Sequence, residues 1–279
     1  MSETCSHNCS GCEQTCAQRD PKSMIKPQNK KSNVKKVIGI VSGKGGVGKS
    51  LVTALSAIAS NRMGYTTAIL DADITGPSIP HMFGQTEKAW GTEDGMLPVE
   101  TETGIKTMSI NLILDNESDP VAWRGPILGS VVEQFWQEVV WGDVDFMFVD
   151  MPPGTGDVML TTFQSLPVDG IIVVTSPQDL VSMIVGKAVK MAESMNIPVL
   201  GVIENMSYLE CPDCGKKIEL FGKSHLQETV DKYGLKILGQ IPIVPAIAEM
   251  ADNGTIEQFD KDYLDGIMTV LKEVSSEKA

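Results

Sequence analysis

Between Val37 and Ser50 the chain reads VIGIVSGKGGVGKS, and this stretch limits the folds available more than any other. An apolar run (Val37, Ile38, Ile40, Val41) enters a glycine-rich turn that delivers Lys49 and Ser50 to the helical pattern Leu51 to Met63. That order is strand, loop, helix, and Gly43, Gly48, Lys49 and Ser50 satisfy G-x-x-x-x-G-K-[ST], a phosphate-binding loop in its expected setting. Glycine is needed because the backbone must curl with its N–H groups inward, where a β-carbon would crowd the phosphates. The reading places a nucleotide on Gly43 to Leu51 (Gly43, Lys44, Gly45, Gly46, Val47, Gly48, Lys49, Ser50, Leu51), with Lys49 at the β- and γ-phosphates and Ser50 on Mg2+.

A second lysine, Lys44, follows the first glycine. Lys44 to Ser50 match K-G-G-x-G-K-[ST] and so resemble the deviant Walker A group of P-loop ATPases. In that group the extra lysine reaches across a dimer to the partner's nucleotide. The resemblance therefore implies a nucleotide-sandwich homodimer.

At 279 residues and 42% hydrophobic, the chain can bury one sizeable core. A net charge of -13 argues against general nucleic-acid binding, which depends on Lys and Arg neutralising phosphates. The apolar runs are strand-sized and broken by Gly or Pro, so no membrane span is expected. The first residues lack the apolar centre of a signal peptide, and a cytoplasmic protein is expected. In that compartment six cysteines point to metal or redox chemistry rather than structural disulfides.

Four of the six, Cys5, Cys9, Cys12 and Cys16, fall in the first sixteen residues, before a polar linker rich in lysine and proline. Residues 1–33 are expected to form a metal-binding tail and linker, and 34–279 the ATPase domain. The C-x3-C-x2-C-x3-C spacing suits a [4Fe-4S] cluster, while zinc on four thiolates, or on three with His7, is the alternative.

Downstream, strands and helices alternate, which predicts an α/β fold with a doubly wound, mostly parallel sheet. Strand Thr67 to Leu70 runs into Asp71-Ala72-Asp73, where a parallel sheet binds ligands. This resembles switch I of the same ATPases, and Asp73 is the candidate for orienting the attacking water or the Mg2+ shell. A hairpin insertion is expected over Gly91 to Ile113, with a strand at Thr107 to Leu112. Arg124 is a candidate for a phosphate or an interface, or a plain surface residue. Strand Phe146 to Val149 closes on Asp150, as a Walker B acid holding Mg2+ through water would. Met151 to Asp157 supplies the Pro and Gly of a switch II loop. Strands Gly170 to Thr175 and Pro198 to Ile203 flank the helix Leu180 to Met195. Asn205, just after the last strand, sits where an asparagine in related ATPases hydrogen-bonds adenine.

Tyr208 to Lys216 reads YLECPDCGK. Cys211 to Gly215 has the form of a metal knuckle, a turn whose N–H groups face two sulfurs. Two thiolates do not complete a zinc or [4Fe-4S] site, so the missing pair comes from the tail or from a second copy of the chain. Together GKGGVGKS, DADITGPS, WRGP, DMPPGTGD, ENMSY and Cys211/Cys214 resemble the Mrp/ApbC family of iron-sulfur cluster carrier ATPases. The resemblance covers about Lys36 to Gly254. It implies a homodimer that binds [4Fe-4S] on paired C-x-x-C motifs and passes it to apoproteins, using ATP and Mg2+, with Lys44, Lys49 and Asp73 as catalytic residues and slow, partner-stimulated hydrolysis. The alternatives are a nickel or zinc metallochaperone ATPase and a MinD/ParA-like positioning ATPase.

Overall fold

The computed structural model describes residues 24–116, 125–154, 156–177 and 181–276. Cys5, Cys9, Cys12, Cys16 and Arg124 lie outside them. The first half of the chain forms β1 (Asn33–Ser42), α1 (Lys49–Arg62), β2 (Thr67–Asp71), α2 (Ile79–Met82), β3 (Gly91–Thr92), β4 (Gly95–Met96), β5 (Val99–Glu100), β6 (Lys106–Met108), α3 (Gly125–Glu138) and β7 (Asp143–Asp150). The second half adds α4 (Asp157–Ser165), β8 (Gly170–Thr175), α5 (Val181–Ser194), β9 (Val199–Glu210), β10 (Lys217–Ile218), α6 (Leu226–Tyr233), β11 (Ile237–Ile243), α7 (Pro245–Asp252) and α8 (Asp265–Ser276).

The main sheet runs β10-β9-β8-β1-β7-β2-β6-β5, and β11 also pairs with β9. Its six central pairings, from β11 to β6, are all parallel, while β5 and β10 add antiparallel edges. The expected doubly wound architecture is therefore the observed one. β1 lies between β7 and β8, so the chain moves to one side of β1 for β2 and to the other for β8. The phosphate loop leaves the carboxyl end of β1, at the crevice where such sheets bind ligands.

Strands covered on both faces read as continuous apolar runs, yet their side chains still alternate. On β7, Met147 and Val149 face the layer of α3, α4, α5 and α6, while Phe146 and Phe148 face α1 and α8. On β1, Val37 and Val41 take the first side and Ile38 and Ile40 the second. Two hydrophobic layers thus clamp the sheet and fix β1 and β7, the strands that carry the phosphate loop and Asp150. Trp136 and Trp141 are buried in the first layer, with indole N–H groups donated to the carbonyls of Lys26 and Phe135 at 2.9 and 3.1 Å. The segment before β1 is held mainly by polar contacts of this kind, including Lys26 N–H to the Ser165 carbonyl at 2.8 Å. That suits a stretch with too few apolar residues to join the core.

Two elements depart from expectation. The strand predicted at Thr107 to Leu112 ends at Met108, and Ile110–Leu112 is a 3-10 turn. Ser109 ends the strand by turning its hydroxyl to Asp71 Oδ2 at 3.0 Å, and the turn then buries Ile110 and Leu112. The strand predicted at Pro198 to Ile203 continues to Glu210. Between Asn205, opposite Ile241, and Leu209, opposite Ile243, β9 carries extra residues, one of them Met206 in the left-handed region at φ 57°. This bulge turns β9 out of the sheet to pair with β10.

Phe148 has no exposed surface. Phe148→Ala is expected to lower unfolding free energy by about 3–5 kcal/mol through the cavity it leaves, measured by urea denaturation.

Candidate nucleotide and metal site

Gly46 and Gly48 of the phosphate loop hold φ 78° and 79°, conformations that need glycine. Gly43 is required for another reason, since a β-carbon there would stand 2.3 Å from Ile184 Cγ2 of α5. At Gly48 a β-carbon would also stand 2.1 Å from Asn205 Nδ2. Neighbouring elements therefore press on the loop from behind. Its open side is a cavity of about 280 Å³, lined by Gly45, Gly46, Lys49, Ser50, Asp73 and Pro153 among others.

Beneath the loop, β1, β2 and β7 end together. Asp150 is the register partner of both Ile40 and Asp71, so the sheet itself sets Asp71 and Asp150 side by side. The first turn of α1 rests on Asp150: Lys49 Nζ lies 2.7 Å from Oδ1, Ser50 Oγ donates to Oδ2 at 2.6 Å, and Thr53 Oγ1 donates to Oδ1 at 2.8 Å. Lys49 Nζ also lies 3.7 Å from Asp73 Oδ2. Lys49 and Asp150 are buried, which makes a charge-assisted bond stronger and an unpaired partner costly.

Three carboxyl groups thus gather about one ammonium. Burial, then the neighbouring Asp150 charge, pushes Asp71 up to about 8, against the pull of Lys49 and the Ser109 hydrogen bond. Burial also raises Asp73, again opposed first by Lys49. Beyond Asp71, the carboxyl groups of Asp73 and Asp150 both stand beside Lys49. An oxygen-donor set of this kind suits Mg2+, which is held by a few protein oxygens together with phosphate and water. Ser50, Asp150 and Asp73 are the residues that fit it.

Lys44 stands in the loop, half-buried, with its carbonyl accepting from Ser42 Oγ at 3.0 Å. Asn205, expected just after the strand, lies within β9, buried, and donates Nδ2 to the Val47 carbonyl at 2.9 Å. Thr53 and Ser109 were not singled out from sequence. Thr53 was legible, being one helical turn beyond Lys49 on the same face. Ser109 was not, because only the pairing of β6 with β2 brings it to Asp71.

Cys211 and Cys214 sit in the turn between β9 and β10. The turn is closed by Gly215 N–H to the Cys211 carbonyl at 2.9 Å and Cys211 N–H to the Lys216 carbonyl at 3.0 Å. Backbone N–H groups of Asp213 and then Cys214, with the Cys214 thiol, bond the Cys211 sulfur and hold its pKa below the ordinary thiol value. A thiol so placed favours the thiolate, the form that ligates metal. Among the described residues no third His, Cys, Asp or Glu joins the pair to form a metal cluster. Ile218, Leu220 and Phe221, exposed apolar residues, follow close behind.

A ParA-family profile described as NUBPL iron-transfer P-loop NTPase matches residues 33–275. The chain belongs to this family. An iron-sulfur cluster carrier protein of Clostridium perfringens is 46% identical, over 81% of this chain and 82% of the relative. One of Methanococcus maripaludis is 38% identical over 99% of this chain and all of the relative. Among solved structures, a nucleotide-binding protein from Archaeoglobus fulgidus in complex with ADP superposes with TM-score 0.75 at 40% identity, covering 82% of this chain and 90% of that one. The MinC:MinD complex of Aquifex aeolicus, TM-score 0.60 at 21% identity over 88% and 97%, shares the fold. No helix among the described residues is long and apolar enough to cross a membrane.

Asp71 provides a check on the buried charges. Its folded pKa, about 8, stands well above the ordinary aspartate value, so between about pH 4 and pH 8 the folded state binds the extra proton and stability falls as pH rises. In nucleotide-free protein the melting temperature is expected to drop from pH 5 to pH 8, and Asp71→Asn should flatten that slope.

Proposed function

We propose that this protein is an ATP-dependent iron-sulfur cluster carrier, working as a homodimer that binds a [4Fe-4S] cluster on Cys211 and Cys214 of two copies and delivers it to apoproteins. The observation that carries this reading is the presence, in one chain, of a buried Lys49–Asp150–Ser50 constellation under a phosphate loop and an exposed C-x-x-C turn with an activated thiol, both served by β9. Two thiolates per chain are half of what a four-iron cluster takes, and a second copy supplies the rest. The carrier names of the relatives agree with it.

In this reading ATP lies along Gly43 to Leu51, and arriving phosphates draw Lys49 and the Ser50 hydroxyl away from Asp150. Mg2+, when bound, would neutralise phosphate charge beside Ser50 and Asp150. Asp73, at the mouth of the cavity and raised by burial, orients the attacking water. Lys49, joined by Lys44 of the opposing copy, balances charge on the transferred phosphoryl group. Asn205 holds the loop from behind and is the candidate base reader. Cys5, Cys9, Cys12 and Cys16 form a second metal-binding group, for [4Fe-4S] or zinc. The domain division at residue 33, the cytoplasmic setting and slow hydrolysis belong to the same proposal.

Anaerobically purified protein should contain iron and acid-labile sulfide. Cys211→Ala/Cys214→Ala should remove about four of each per dimer. Zinc or nickel in their place, with no iron after reconstitution, would replace the carrier reading by a metallochaperone. Lys49→Ala should abolish ATP hydrolysis and ATP-dependent transfer to an apoprotein while leaving the cluster content of Cys211 and Cys214 intact.

A further inference from the structure

Glu204 is wholly buried, one residue before the asparagine that touches the phosphate loop. Its Oε2 accepts from Ser207 Oγ at 2.6 Å and Gln240 Nε2 at 3.1 Å, and its Oε1 accepts from Ser224 Oγ at 2.7 Å. These partners come from three places. Ser207 lies in the bulge of β9, on the way out to the cysteine turn. Ser224 lies on the way back, just before α6, where its hydroxyl also accepts the Leu226 N–H at 3.1 Å. Gln240 belongs to β11, opposite Glu204 in register. One buried carboxyl group therefore ties the outgoing and returning stems of the excursion that carries Cys211 and Cys214, and anchors both to the sheet.

The next residue of the strand, Asn205, reaches the phosphate loop. Asn205 donates to the Val47 carbonyl, and its amide fills the space behind Gly48. From Val47 to Cys211 the path is thus continuous: phosphate loop, Asn205, Glu204, then both stems of the turn. Burying a carboxyl group is expensive unless its hydrogen bonds are met, and a fully met buried network holds one arrangement against alternatives. The loop at Val47 and Gly48 is thus joined to the cysteine turn through hydrogen-bonded strand residues rather than through a linker.

We propose that Glu204 is a positioning residue that couples the occupancy of the phosphate loop to the placement of Cys211 and Cys214. The inference rests on the reading that these two sites act together. It concerns movement within one chain, and so is separate from dimer closure. Nucleotide binding reorganises the loop, Asn205 follows Val47, and Glu204 carries the displacement into Ser207 and Ser224, changing the exposure of the two sulfurs.

The test uses the full chain, reduced and freed of metal, at a concentration where gel filtration shows the same oligomeric state with and without Mg-ADP. Alkylation rates of Cys211 and Cys214 are read by peptide mass spectrometry. Mg-ADP is expected to change both rates by about fivefold or more in the unaltered protein. In Glu204→Gln, ADP affinity should stay within about twofold, because the residue lies outside the nucleotide cavity, while the change in alkylation disappears. Ser224→Ala, which frees the returning stem alone, should lose the response at Cys214 and carries the test if Glu204→Gln does not fold. A full response in the folded variants, or no response in the unaltered protein, overturns the proposal. Since the thiols are read bare, the outcome is independent of which metal they hold, and failure of the carrier reading would show only in the metal content.

Discussion

The contact between Lys49 and Asp150 organises the site and depends on most of the fold. It joins the first turn of α1 to the end of β7, two elements separated by a hundred residues of chain, through a bond of 2.7 Å with both partners buried. Neither charge is tolerable there alone, since removing one partner of a buried pair strands the other. The pair is affordable because β1 and β7 are adjacent, in register and clamped between two apolar layers. Ser50 and Thr53 complete the hydrogen bonding of Asp150, so the group that would face Mg2+ is oriented before any ligand arrives.

The same geometry concentrates negative charge. Register alone puts Asp71 beside Asp150, and the turn after β2 adds Asp73. One lysine does not balance three carboxyl groups, and burial resolves the conflict by raising Asp71 toward neutrality. A donor set built this way, rich in oxygen and held in place by the strand ends, is of the kind that suits a divalent cation. The phosphate loop itself is supported from behind by α5 at Gly43 and by β9 at Gly48, so its glycines answer to protein neighbours as well as to phosphate.

β9 links this region to the cysteines. Its parallel part belongs to the sheet, its bulge at Met206 turns it outward, and its far end pairs with β10 to present the C-x-x-C turn. The lowered pKa of Cys211 is local, produced by N–H groups of the following residues. Its placement is not local, since it depends on how β9 leaves the sheet.

The sequence by itself determined the parts whose chemistry is written in short spacing. Gly43 to Ser50, the acids ending β2 and β7, and the Cys211–Cys214 turn were all legible, because each is a contiguous stretch whose residue types suit only a few backbone forms. The alternation of strand and helix fixed the parallel architecture for the same reason. What tertiary structure decided was every relation across the sheet. Runs such as Phe146 to Val149 are apolar throughout, so which side chain faces which layer is set only when both faces are covered. Ser109 meets Asp71 only once strand order and register are fixed. The extension of β9 past Asn205 and the gathering of Ser207, Ser224 and Gln240 on Glu204 were likewise hidden, because hydrogen bonds between residues far apart in the chain leave no periodic trace in it.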